Sequence, residues 1–291
     1  MTEIEMPSLA GPNAEQIQYW NEGAGESWAA REQTLDRLIA PIGERVLALA
    51  DAAPGERVVD VGCGCGATSL ELGHRVGPKG AVLGVDVSRP MLGRALARAK
   101  ASGLTNSTFV LADAQTAHLG REDFDLLFSR FGVMFFADPT AAFANLRRAL
   151  RGGGRLAFVC WQPIQRNPWM LVPALAIARH VPMSPPNPNL PGPFAFADPE
   201  RVRGILSRAN FGEIVIDGVD LSLALGDGDP SRAVEFALEI GPGAAALRAA
   251  GGGPELRARA ADSVREALAP FIQQGALHMP AAIWLVHARG V

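Results

Sequence analysis

The sequence predicts an α/β protein built on a mostly parallel sheet with helices on both faces. Three observations carry that prediction. Between residues 55 and 161, apolar runs rich in β-branched residues alternate with segments of helical periodicity. Alternation at that spacing is the pattern of strand–helix–strand units with right-handed crossovers. The first run, Val58-Val59-Asp60-Val61, leads straight into Gly62-Cys63-Gly64-Cys65-Gly66, a glycine turn that opens a helix near Thr68. Three runs end on an acid, at Asp60, Asp86 and Asp113, and a fourth ends on Ser129-Arg130. Ligands of parallel sheets bind outside the carboxyl ends of the strands, so these strands would bring polar groups to one rim.

In chain order, residues 1–15 read as a tail. Residues 16–53 read as helical, with Tyr19, Trp20, Trp28, Leu35, Leu38, Ile39, Val46 and Leu49 at helical spacings. Residues 21–27 interrupt the pattern, and Pro41 marks a second break or a kink. This stretch is either a helix pair packed at the sheet edge or a cap whose Tyr19, Trp20 and Trp28 close over a cleft. Tyr19 is the only tyrosine, and so the only phenol available for acid–base work. The first strand follows Pro54-Gly55, and its alternating glycines let a ligand approach the backbone. The free N–H groups of the next helix face the same place. A second strand ends at Asp86, with Ser88 as a candidate N-cap and Pro90 near the first helical position. A third strand ends Ala112-Asp113-Ala114, and a fourth covers 124–130. Asp138-Pro139 starts a helix to Leu150, residues 152–154 are all glycine, and a fifth strand runs from Arg155 to Trp161.

Gly62-x-Gly64-x-x-Ala67 also satisfies the dinucleotide fingerprint, with Asp86 about 20 residues on as the ribose acid. Asp60 separates the readings. A carboxylate beside the turn offers nothing to a dianionic pyrophosphate and attracts an ammonium or sulfonium group. The segment therefore points to S-adenosylmethionine rather than a nicotinamide cofactor. Asp86 can accept from both ribose hydroxyls. Asp113 can accept from the exocyclic amine of adenine, while Ala114 leaves room for the ring.

Taken as an ordered set, Asp60 to Gly66, Gly84 to Ser88 with Met91, Ala112 to Ala114, Phe124 to Arg130 and Leu146 to Leu156 resemble class I S-adenosylmethionine-dependent methyltransferases. Within that class the chain resembles the branch of ubiquinone/menaquinone-biosynthesis methyltransferases, and more closely an uncharacterised bacterial group. Tyr19-Trp20-Asn21, Ser129 to Phe136 and Asn167-Pro168-Trp169 extend the likeness beyond the core. The resemblance implies a Rossmann-like fold: a mostly parallel seven-stranded sheet with an antiparallel last strand, a helical N-terminal cap and lid insertions. It implies that Asp60, Gly62, Gly64 and Gly66 hold the methionine end of the cofactor. Asp86 would take the ribose, with Val87 and Met91 beside it, and Asp113 and Ala114 the adenine. Tyr19, Trp20, Trp28 and Ser129 complete the expected cofactor contacts. Cys65 departs from the threonine or proline usual in relatives.

Beyond Trp161, residues 163–199 are proline-rich around one short helix from Trp169 to His180. A helix from Asp198, a strand over 213–225, helices over 230–271 and a strand over 281–288 follow. The two strands fit the antiparallel end of the implied sheet. The chain then divides into a helical cap over 1–53, a cofactor-binding core over 54–161, and a remainder over 162–291. The remainder would hold lid insertions at about 163–198 and 226–276, since insertions at a ligand rim act as lids. Arg130, Phe135, Trp161, Arg166 and Trp169 are candidate contacts for the methyl acceptor, with Phe136, Phe194 and Phe196 as further lining. Tyr19 and His180 are the candidate bases, whereas His74 and His287 fall in structural positions.

Composition narrows the partners. The 291 residues carry a net charge of −3, so no broad cationic field awaits nucleic acid or an anionic membrane. The fourth strand also lacks the Asn/Asp-Pro-Pro-Tyr/Phe sequence of DNA adenine methyltransferases. No apolar run reaches the roughly 18 residues of a membrane span. An acidic start and three cysteines without a disulfide framework give a cytoplasmic expectation. No further Cys or His completes a zinc set around Cys63 and Cys65, so no metal is expected. The reading is a methyltransferase for a small molecule, such as a hydroxylated aromatic, a quinone-like compound or a secondary metabolite. A nicotinamide-dependent oxidoreductase and a catalytically inactive S-adenosylmethionine-binding protein are the alternatives. Either a monomer or a homodimer is compatible with the sequence.

Overall fold

The computed structural model describes residues 11–184 and 187–291. Most of the expected tail lies outside these residues, but positions 11–15 are built into the fold, with Asn13 buried. Three helices come first: α1 (Ala14–Asn21), α2 (Ala24–Ala30) and α3 (Glu32–Ala50). The breaks fall at 22–23 and at Arg31. Pro41 does not break the chain, and α3 runs through it. Packing overrides the missing N–H, because Leu38, Ile39, Ile42 and Val46 around it are all buried.

The alternating core follows. It comprises β1 (Arg57–Val61), α4 (Ala67–Val76), β2 (Ala81–Asp86), α5 (Arg89–Ser102), β3 (Ser107–Leu111), β4 (Phe124–Arg130), α6 (Pro139–Ala149) and β5 (Leu150–Trp161). The distal part comprises α7 (Pro168–Ile177), α8 (Pro199–Arg208), β6 (Phe211–Ala224), α9 (Pro230–Ala237), α10 (Pro242–Ala249), α11 (Pro254–Leu268), β7 (Ile272–Gln273) and β8 (Ala276–Gly290). The main sheet has the order β3-β2-β1-β4-β5-β8-β6, with the two-residue β7 paired to β8 outside that path. Strands β1 to β5 are parallel, and β8 is antiparallel to both of its neighbours. The expected seven strands with one antiparallel member are therefore present.

The central strands are apolar because they are covered on both faces: Val58, Val59, Leu126 and Leu127 are fully buried. Strand β6 at the edge alternates between exposed and half-buried positions instead. Helix α6 is capped as its sequence suggests, with the Ala141 N–H donating to Asp138 Oδ1 at 3.0 Å. Strand β5 begins at Leu150, earlier than expected, and its glycines sit at a register irregularity opposite Phe124 and Leu126. Ser88 also departs from expectation. Its hydroxyl does not cap α5 but donates to the Trp20 carbonyl at 2.8 Å, tying α1 to the core. Helix α3 packs across β4, β5 and β8, while α7 packs against α10 and α11. Among the described residues, no helix is long and apolar enough to cross a membrane.

Candidate active site

A cavity of about 1060 Å³ takes its floor from the carboxyl ends of β1 to β5. Its walls come from the first three helices on one side and from α7, α10 and residues 183–184 and 187–195 on the other.

The glycine turn is tight for two reasons. Gly62, Gly64 and Gly66 all have positive φ, at 67°, 56° and 82°. A Cβ on Gly62 would lie 2.5 Å from the Cα of Gly132, so the ends of β1 and β4 abut backbone to backbone. Of the three, only Gly62 reaches the cavity wall. The Gly64 N–H donates to Asp86 Oδ2 at 2.7 Å, and Gly66 is the N-cap of α4. These two glycines shape the turn from behind.

Asp86 lies on the wall with its second oxygen, Oδ1, accepting from the Ser88 N–H at 2.8 Å. Burial pushes its carboxyl up to about 6, against the opposing pull of the Ser88 and Gly64 N–H groups. Asp60 sits one layer deeper, fully buried and off the wall. Its Oδ2 accepts from the Thr68 and Ser69 hydroxyls at 2.8 and 2.6 Å, while Oδ1 has no partner. Burial raises its carboxyl as well, opposed by those hydroxyls and by Arg130. Asp113 and Ala114 are on the wall at the end of β3. Asp113 Oδ1 accepts from the Gln115 N–H at 3.0 Å and from the Asn13 side-chain amide at 3.3 Å.

Asn13 escaped the sequence reading, which placed it in a tail. It is 4% exposed, and its own oxygen accepts from the Ala137 N–H at 3.1 Å. Helix α1 has a second anchor at Asn21. Its amide donates to the Val87 carbonyl at 2.7 Å, and its oxygen accepts from the Arg89 N–H at 3.0 Å. Tyr19, Trp20 and Trp28 line the cavity, as do Val87 and Met91. Trp20 meets Phe135 edge to face at 5.1 Å and Trp28 at 5.8 Å.

The opposite end is aromatic. Phe131 stacks on Trp161 at 4.3 Å and 11°, and Trp161 leans on Trp169 at 5.1 Å. Phe131 holds φ at +71°, a strained conformation for a bulky residue, and strain of this kind collects at ligand sites. Phe135, Phe136, Phe194 and Arg130 also line the space, whereas Phe196 belongs to the core beside Phe143.

Besides Asp60, Gly64 and Gly66, three further expected site residues lie off the wall. Ser129 is fully buried and joins the ends of β1 and β4, donating to the Val61 carbonyl at 2.7 Å and accepting from the Val133 N–H at 3.3 Å. Arg166 pairs with Asp220 in solvent, at 2.6 Å, away from the wall. His180 is also off the wall, with Nε2 2.8 Å from the Ser263 hydroxyl on α11. In each case a nearer polar partner claimed the side chain. Among the described residues, no group of three or more His, Cys, Asp or Glu could hold a metal ion.

The strand order, the glycine turn and the acids at consecutive strand ends define a class I methyltransferase fold. Residues 58–154 match the family described as "Methyltransferase domain". The chain is 36% identical over 129 residues to aklanonic acid methyltransferase of Streptomyces sp. (strain C5), a match covering 43% of this chain and 59% of that one. It is 31% identical over 106 residues to the ubiquinone/menaquinone biosynthesis C-methyltransferase of Shewanella sp. (strain W3-18-1), covering 36% and 42% of the two chains. The matched stretch thus spans about half the length of these relatives. The fold is similar to that of geranyl diphosphate C-methyltransferase from Streptomyces coelicolor A3(2), with a TM-score of 0.55 at 17% identity over 97% of this chain and 99% of that one.

Proposed function

We propose that the protein transfers a methyl group from S-adenosylmethionine to a small, largely apolar acceptor. One observation carries this reading: the ends of β3, β2 and β1 present Asp113, Asp86 and Gly62 in a row on a cavity wall whose other end is aromatic. The residues fit the cofactor. Asp86 has its two oxygens held by N–H donors on one side and the cavity on the other, which suits a pair of ribose hydroxyls. Gly62 leaves the backbone bare where the sulfonium chain would pass. Val87, Met91 and Ala114 would sandwich the adenosine, and Asp113, steadied by Asn13, would meet the amine of the base.

S-adenosylmethionine supplies an electrophilic methyl on sulfur that is displaced in line by the acceptor's nucleophile. The chain's task is then to align and to exclude water. Phe131, Trp161 and Trp169 would hold a flat acceptor against the methyl, and the cap would close over the opposite end. Among the described residues no histidine lines the cavity, which leaves Tyr19 as the candidate base for acceptors that must lose a proton. The acceptor class we favour is a hydroxylated aromatic, a quinone-like compound or a secondary metabolite. The relatives named above act on aklanonic acid and in ubiquinone and menaquinone synthesis, which supports that choice. In this reading residues 1–53 are the cap, 54–161 the cofactor core, and the segments near 163–198 and 226–276 the lid. The free thiols Cys63, Cys65 and Cys160 support a cytoplasmic location.

The test is a thermal shift with S-adenosylmethionine, S-adenosylhomocysteine and NADH. A ligand at about 100 times its dissociation constant stabilises by roughly 2.7 kcal/mol. A rise in Tm with the first two and none with NADH is expected. A rise with NADH alone would overturn the reading.

A further inference from the structure

Asn167 stands at the N-cap of α7, where an asparagine oxygen ordinarily accepts from the helix's own N–H groups, but it makes no such bond. It is fully buried and lies off the cavity wall. Its amide donates instead to the carbonyls of Gln162, Ala282 and Pro163, at 3.0, 3.1 and 3.3 Å. Its oxygen accepts from the Ala282 N–H at 3.0 Å and from the Trp169 indole N–H at 3.3 Å. The bonds to Ala282 run in both directions, as they do between paired strands. The side chain thus carries the β5–β8 ladder past Trp161, whose own partner is Ile283.

The bond to the indole reaches the site. Trp169 is 7% exposed, lines the cavity and leans on Trp161, which stacks on Phe131. A buried indole needs a partner for its one polar atom. Asn167 supplies it from behind the wall, so Trp169 offers the cavity ring carbons and no free donor. Gln162, the residue after Trp161, gives an amide N–H to the Ile283 carbonyl at 2.8 Å. The polar groups behind this end of the cavity are turned into the sheet, and the surface in front of them is aromatic.

We propose that Asn167 is a positioning residue. Through the indole N–H it fixes Trp169 against Trp161, and so sets a slot that selects a flat apolar ring in the acceptor. The inference rests on the methyltransferase reading and narrows its acceptor to molecules that present such a ring at this end.

The experiment is calorimetric titration of wild type, Asn167→Ser, Trp169→Phe and the double variant. The probes are S-adenosylhomocysteine, then 2-naphthol and decahydro-2-naphthol with S-adenosylhomocysteine saturating. The two naphthols share a carbon skeleton and a hydroxyl, and only the first is flat. Wild type should prefer 2-naphthol by about threefold or more, the value of an aromatic contact. Asn167→Ser should weaken 2-naphthol about three- to tenfold, the value of one hydrogen bond. It should leave S-adenosylhomocysteine within about twofold, as expected for a site it does not touch. In the Trp169→Phe background there is no indole N–H to hold, so the same change should weaken 2-naphthol by less than about twofold. Equal weakening in both backgrounds, or of both ligands, would mean that Asn167 supports the fold and not the slot, and would overturn the proposal. Wild type that binds the two naphthols equally, or neither, would overturn it as well. Should Asn167→Ser fail to fold, the Trp169 indole N–H decides, assigned by its loss from the NMR spectrum of Trp169→Phe. Slow hydrogen exchange at that group is expected in wild type, and fast exchange would overturn the proposal. Failure of wild type to bind S-adenosylhomocysteine would remove the methyltransferase reading itself, while the naphthol titrations, run without it, still judge Asn167.

Discussion

With Asp86 on the ribose, as proposed, cofactor affinity becomes a function of pH. Its carboxyl is pushed up to about 6, and ribose hydroxyls need the charged form as acceptor. Affinity should therefore be full above pH 7 and fall as pH drops through 6, to about a tenth at pH 5 for one linked proton. Stability without ligand moves the other way. The folded value exceeds the ordinary carboxyl value, so folding takes up a proton, and this contribution is lost as pH rises through about 6. Titration of S-adenosylhomocysteine between pH 5 and 8 checks the first claim, with Asp86→Asn expected to give weak, flat binding. A wild-type profile that is itself flat would remove Asp86 from the ribose. Gly62 is a second point of sensitivity. Gly62→Ala meets both a positive φ and the backbone of Gly132 at 2.5 Å, so it cannot relax by moving one side chain. A loss of at least about 2 kcal/mol is expected from the two together, read as a drop of several degrees in Tm.

At the scale of elements, α1 and α2 are tied to the core by polar contacts. Asn21 bridges Val87 and Arg89, Ser88 holds Trp20, and Asn13 joins Asp113 to Ala137. Asn21→Ala would strip three backbone partners at once, the carbonyls of Ile17 and Val87 and the N–H of Arg89. It should destabilise by about 1–3 kcal/mol and weaken S-adenosylhomocysteine several-fold by loosening the turn beside Asp86. Unchanged affinity with lowered stability would show that the cap does not support the site. These contacts explain what the sequence could not show. The spacing of Tyr19, Trp20 and Trp28 announced helices, but a single asparagine has no period to betray it. The strands β1 to β5 were legible because local patterning and tertiary burial agree there, and so were the Asp138 and Asp198 caps. Pro41, Ser88 and His180 misled because each propensity was overridden by a long-range partner or by packing. Phe131 was invisible as a strained residue, since a φ of +71° at a phenylalanine runs against its local propensity and the residues beside it carry no signal of it.

At the scale of the whole molecule, the sheet separates binding from support. The cavity takes residues from the ends of five parallel strands, from the cap and from α7, α10 and the loop before α8, but none from β6 or β8. The antiparallel edge instead closes the core, with β8 between β5 and β6 and residues Ile283 and Val286 fully buried. A ligand that joins Asp113, Asp86 and Gly62 should therefore stiffen one end of the molecule. Hydrogen exchange with and without saturating S-adenosylhomocysteine is the measure. Amides in 14–30, 84–91 and 111–115 should slow, by up to about a hundredfold when the ligand stands at about 100 times its dissociation constant. Amides of β6 and β8 that open locally should keep their rates, because their opening does not require release of the ligand. If those edge strands slow as much as the cap does, the protein opens only as one cooperative unit. The cap would then not be a gate, and exchange of the cofactor would need a global motion.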